Sequence, residues 1–103
     1  MEWIYILKNS NFPKWYKIGR TACFDPYDRL DQYTHHQPFG EVSFYALFLV
    51  EDSTKIETET LSMCEDKKYH FAKKEWIRVG NSKDRSLELL LQYINRRSIR
   101  RVI

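Results

Sequence analysis

Short apolar runs broken by polar turns organise this chain. Trp3-Ile4-Tyr5-Ile6-Leu7 is rich in aromatic and β-branched residues and predicts a strand over residues 2–8. Asn9-Ser10-Asn11-Phe12-Pro13-Lys14 has turn chemistry, and Pro13 lacks the N–H that a central ladder needs. Trp15-Tyr16-Lys17-Ile18-Gly19-Arg20 predicts a second strand, so the pair reads as an antiparallel hairpin with an enlarged turn. Asp25-Pro26 has the chemistry of a helix start, an acid cap followed by proline at the first helical position. That helix should run to Thr34 or His36 and stop on the approach to Pro38 and Gly40. Glu41 to Val50 reads as a long central strand, and Asp52-Ser53-Thr54 opens a second helix reaching about Lys67. Lys74 to Val79 reads as a short strand and Gly80-Asn81 as a break. Ser82 then caps a third helix to about Arg96, with Leu87, Leu90, Leu91 and Ile94 spaced to bury one face.

The order is ββαβα followed by β and α, which predicts an α+β fold with antiparallel pairing at its start. The 103 residues, 43% of them hydrophobic, suffice for one core and not two, so residues 1–103 read as one domain without linker, repeat or low-complexity segment. The aromatic share of 16% lets so small a core gain stability from large buried areas. The net charge of +3 is mild, but Arg96-Arg97-Ser98-Ile99-Arg100-Arg101 gathers cations at the end, where a polyanion would bind. Cys23 and Cys64 have no Cys-x-x-Cys spacing, so neither a zinc framework nor a disulfide scaffold is expected. A reducing, intracellular (cytoplasmic) setting follows, and no leader or membrane-length apolar run suggests a membrane partner.

Three features carry candidate chemistry. If the hairpin pairs its faces, Tyr5 and Lys17 point the same way and Gly19 leaves space over the sheet. An ammonium near a phenol favours the phenolate, which suits a general base; ordinary strand-face residues are the plain alternative. On the first helix Tyr27, Leu30 and Thr34 form the buried arc, and Arg29, Tyr33 and His36 make an adjoining strip at i, i+4 and i+7. A guanidinium in such a strip holds phosphate oxygens in a bidentate fork; a solvated flank with Arg29 paired to an acid reads equally from the pattern. On the second helix Ile56, Thr60, Leu61, Met63 and Cys64 span an apolar arc that includes Glu57 and excludes Glu59. A buried acid needs a partner. Thr54-x-x-Glu57 fits a capping box, and a Mg²⁺ ligand is the sharper alternative.

Together, Trp3-Ile4-Tyr5, Lys17-Ile18-Gly19-Arg20, Arg29-Leu30, Glu57 and Glu75-Trp76 resemble, in order and spacing, the motifs of the GIY-YIG nucleases over roughly residues 3–79. The likeness is to the small phage and microbial branch, whose second signature often reads Lys-Ile-Gly. Trp3 stands where that signature has its first glycine, Lys17 where it has its second tyrosine, and no late asparagine matches. The resemblance implies a small three-stranded antiparallel sheet flanked by helices, to which the chain's own pattern adds an extra short strand and, over about 80–103, a C-terminal helix and basic tail. It also implies Mg²⁺- or Mn²⁺-dependent hydrolysis of phosphodiesters. Tyr5 would be the base or assist it beside Lys17, Gly19 would keep the sheet surface clear, Arg29 would steady the phosphate, and Glu57, or Glu59, would hold the metal.

The expected function is therefore a metal-dependent DNA endonuclease, with Arg20, Tyr33, His36, Arg96, Arg97, Arg100 and Arg101 contacting the nucleic acid. Trp3, Trp15 and Trp76 read as core or edge cover. The alternatives are a nuclease-like module that binds or regulates without cutting and a protein-interaction domain; a homodimer or a partner subunit would supply specificity that one short domain does not display.

Overall fold

The structure, a computed structural model, describes residues 1–36, 42–63, 76–79 and 85–103, without the side chains of residues 33–36 and 76. Over the described residues the fold is α+β: a five-stranded antiparallel sheet with three helices. In chain order the elements are β1 (Glu2–Asn9), β2 (Phe12–Thr21), α1 (Pro26–His36), β3 (Val42–Val50), α2 (Ser53–Met63), β4 (Trp76–Arg78), α3 (Ser86–Arg97) and β5 (Arg100–Arg101). The sheet order is β4-β2-β1-β3-β5, so the hairpin and β3 form the centre and two short strands extend it at both edges. The expected three-stranded sheet is thus the middle of a wider one.

Burial divides along the pleat. Ile4, Ile6, Ile18, Ala46, Phe48, Val50 and Ile77 form one face with Ile56 of α2 and Leu87, Leu90 and Ile94 of α3. Tyr5, Leu7, Val42, Phe44 and Leu47 form the other, against which Leu30 of α1 and Trp3 pack. Two stacked cores therefore share one sheet, each buried aliphatic side chain contributing about 1.5–3 kcal/mol. A bulge in β3 adjusts the division. Ile6 opposes Ala46 and Leu7 opposes Phe44, leaving Tyr45 as the extra residue. Phe44 and Leu47 can then both face α1, while Tyr45 meets Tyr16 edge-to-face at 5.1 Å on the other side.

Several local expectations are corrected. β2 begins at Phe12, so Pro13 lies in the strand rather than in a loop; β4 pairs only with Trp15–Lys17, leaving Pro13 outside that ladder. The turn of the hairpin is correspondingly tight and is held by Asn9, whose Oδ1 accepts the Asn11 N–H at 2.9 Å. Tyr27 is not in the buried arc of α1; it is half exposed, its ring standing edge-on to Phe44. Arg85, and not Ser82, precedes the first residue of α3. Ser82, Gly80-Asn81, the chain past Met63 to Glu75, and Pro38 with Gly40 lie outside the described residues.

The largest departure is β5. Arg100 and Arg101 do not continue a loose tail; they pair with Leu49 and Phe48. The Ile99 N–H donates to the Leu49 carbonyl and the Val102 N–H to the Leu47 carbonyl, both at 2.8 Å. The β-branched residues Ile99, Val102 and Ile103 flanking the arginines were the signal for a strand. Among the described residues no helix is long and apolar enough to cross a membrane.

Candidate functional site

The register of the hairpin fixes the first part of the site. Tyr5 lies opposite Gly19 and Leu7 opposite Lys17, so Tyr5 and Lys17 share a face as diagonal neighbours, within reach of long side chains. Both are almost fully buried, Tyr5 at 1% and Lys17 at 5% exposure. Gly19 does not leave the sheet surface clear, as its sequence position suggested. A Cβ at Gly19 would collide with Cε2, Cζ and the hydroxyl of Tyr5. The phenol thus lies flat across the glycine and its oxygen reaches over β2. Phe44 backs the ring from the other side, at 6.0 Å between centroids.

The rim of β2 in front of that hydroxyl is distinctive. β4 stops at Lys17, so among the described residues β2 has no strand neighbour on that side from Ile18 to Thr21. Thr21 closes this stretch, its Oγ1 accepting the Cys23 N–H at 3.1 Å. Asp25 then caps α1, its Oδ1 accepting the Tyr27 N–H at 2.9 Å, with Pro26 in the first turn as the sequence requires.

Arg29 stands on α1, the helix of the Tyr5 face, one residue before the core residue Leu30. It is half-buried, with its Nε shielded from solvent and its Nη1 donating to Gln32 Oε1 at 2.8 Å. Tyr33 and His36 belong to the same helix, but their side chains lie outside the described residues.

Glu57 comes from the opposite side. α2 packs Ile56 against the Ile4–Ile6–Ile18 face, below β2 and β1. The structure therefore groups Tyr5, Lys17, Gly19 and the Arg29 helix on one face and places the Glu57 helix on the other. Glu57 is half-buried on the flank of α2. The capping-box explanation for it fails, because Asp52 is the cap: its Oδ1 accepts the Lys55 N–H at 3.1 Å. Glu57 lies two residues deeper in the helix than a capping-box acid. Glu59 is drawn elsewhere, its carboxylate 3.9 Å from Arg97 Nε on α3.

A residue outside the expected set anchors α2. Glu2 Oε1 accepts both the backbone N–H of Ser53 at 2.8 Å and its hydroxyl at 2.9 Å. These bonds, with a weaker contribution from Arg20, hold the Glu2 carboxyl below its ordinary pKa. Arg20 opposes Ile4 in the ladder and so stands on this α2 side, away from Tyr5. The basic end is also distant. Arg97 stacks on Tyr93 at 3.5 Å, Arg101 Nε donates to the Ile103 carbonyl at 2.7 Å, and Arg100 and Arg101 lie on the edge beyond β3. Arg96 ends α3 and is exposed.

Among the described residues of the expected set, a divalent ion would find one carboxylate, Glu57, on the α2 side of the sheet. Among the described residues no three His, Cys, Asp or Glu side chains gather into a metal-holding group. Such a donor set suits an ion that takes its remaining ligands from water and substrate phosphate.

The antiparallel sheet with helices on both faces defines a small α+β domain. The chain belongs to the T5orf172 domain family, whose model matches residues 2–96. That match replaces the GIY-YIG assignment suggested by the motif order, whose own model does not match. The family is nuclease-like or DNA-binding, which is consistent with a nucleic-acid-related role. Neither the curated proteins nor the solved structures contain a match.

Proposed function

We propose that this domain is a metal-dependent endonuclease hydrolysing phosphodiester bonds in DNA at the rim of β2. The observation that carries the reading is the Tyr5 phenol lying over Gly19, which delivers a buried hydroxyl to the rim from one face. Glu57 belongs to α2, the helix packed beneath β2 and β1 on the other face, and in this reading its carboxylate extends to the same rim. The scissile phosphate lies across the rim between them.

Each residue then has a task. Tyr5 takes the proton of the attacking water, whose oxygen bonds to phosphorus as the ester P–O bond breaks, giving a phosphate monoester and a hydroxyl. The Lys17 ammonium, on the same face, favours the phenolate from which Tyr5 acts as base, and the leaving oxygen takes its proton from solvent. Arg29 pairs with the non-bridging oxygens, on which charge builds in the transition state. Glu57 would hold a divalent ion, Mg²⁺ or Mn²⁺, which when bound would supply neutralisation of charge on the phosphate and the leaving oxygen.

The test is nicking of supercoiled plasmid with Mg²⁺ or Mn²⁺. Tyr5→Phe and Glu57→Ala should each slow nicking by about 10²-fold or more, with circular dichroism unchanged. An unaltered rate in either variant, or no cutting by the parent protein under any divalent ion, sinks the proposal. The last outcome selects a second reading, a domain that binds nucleic acid without cutting it. The placement of Tyr5 and the Glu57 helix on opposite faces is what favours that reading.

A further inference from the structure

We infer that Arg78 and Trp15 form a subsite for the nucleic-acid backbone one step from the Tyr5–Lys17 floor, where the strand leaves over β2 and β4. The inference rests on the nucleic-acid reading above but not on cleavage.

The geometry follows from the ladder. β4 pairs with β2 as Trp15 with Arg78, Tyr16 with Ile77 and Lys17 with Trp76. Ile77 is fully buried among Ile4, Ile6 and Ile18, on the α2–α3 side. Alternation therefore turns Arg78 to the opposite face, the face of Tyr5 and Lys17. Trp15 sits beside it on the same face, two residues before Lys17, or about 7 Å along the strand. α1 packs against β3, the strand on the far side of β1 from β2.

The side chains suit a phosphodiester backbone. Arg78 is exposed, and among the described residues no carboxylate or carbonyl engages its guanidinium. Arg85, Arg97 and Arg101 are committed to partners within the chain. The half-buried indole of Trp15 offers an apolar wall against which a sugar or an unpaired base rests. A cation at an edge strand also discourages pairing with other sheets; that role alone would not change affinity for nucleic acid. Position separates Arg78 from the basic end as well. β5 is three strands away from β2, roughly 14 Å, whereas β4 is adjacent.

The experiment is fluorescence anisotropy of labelled DNA and RNA strands of one sequence, and of the DNA duplex, with EDTA present and salt varied. Arg78→Ala should weaken binding several-fold at low salt and reduce the salt slope by about one phosphate contact. Arg78→Lys should restore the slope, and Arg85→Ala, on an exposed pair elsewhere, should change nothing. Trp15→Phe should keep most of the affinity. An Arg78→Ala protein with the parent's affinity and slope overturns the subsite, and so does a parent that binds none of the probes. Loss of plasmid nicking with binding intact overturns the cleavage reading alone.

Discussion

At the scale of single residues, the pairing of Tyr5 with Gly19 decides most of the site. A ring resting on a glycine needs the Cβ to be missing, so the two positions are energetically coupled. Gly19→Ala should destabilise the protein by about 1–3 kcal/mol, because the ring must move against Phe44. Combined with Tyr5→Ala, the Gly19→Ala cost should largely disappear; additive losses in urea titrations would contradict the packing. The sequence showed both residues and even their shared face. It did not show that the ring fills the space, since the lie of an aromatic side chain depends on its neighbours across two strands. Glu59 illustrates the same limit: helical spacing left it as a rival to Glu57, and its approach to Arg97 of α3 had no signature in that spacing.

At the scale of elements, α2 is fastened by charge and by hydrogen bonds from outside the helix. Glu2 and Asp52 satisfy N–H groups of its first turn, which otherwise have no partner in the helix. The Glu2 carboxyl is held below its ordinary pKa by the Ser53 bonds. A depressed folded pKa means that its stabilising contribution is complete above the unfolded carboxyl's pKa. It is lost as pH falls through the folded value. Glu2→Gln should therefore flatten the acid limb of the stability–pH curve and leave the neutral region less stable. An acid limb identical to the parent's would rule this out. The opposite limb has its own signal. Burial, reinforced by Tyr45, raises the Tyr16 pKa, so stability should decline once pH exceeds the ordinary phenol value, where only the unfolded Tyr16 ionises. Helix starts were legible because Asp25-Pro26 and Asp52 act locally. The Glu2–Ser53 bond, spanning 51 positions, had no local signature.

At the scale of the whole molecule, the sheet separates two cores and closes its β3 edge with the chain's last residues. Leu47 exchanges backbone bonds with Val102 and Ile103, and Leu49 accepts from Ile99. Deleting residues 99–103 should expose that edge, lower the urea midpoint and promote self-association visible by light scattering; a truncated protein as stable and monodisperse as the parent would show that the edge needs no cover. What the sequence determined by itself was the alternation of β1, β2 and β3, the caps of α1 and α2, the apolar stripe of α3, and hence the α+β class. These follow from periodicity and from groups within a few residues of one another. Only the tertiary structure decided that β5 exists as a strand, that Tyr5 covers Gly19, and that Glu57 and Tyr5 belong to helix and strand faces separated by the sheet. Those outcomes depend on register and on which face each helix covers, and both are set by contacts between residues far apart in the chain, which no local pattern encodes.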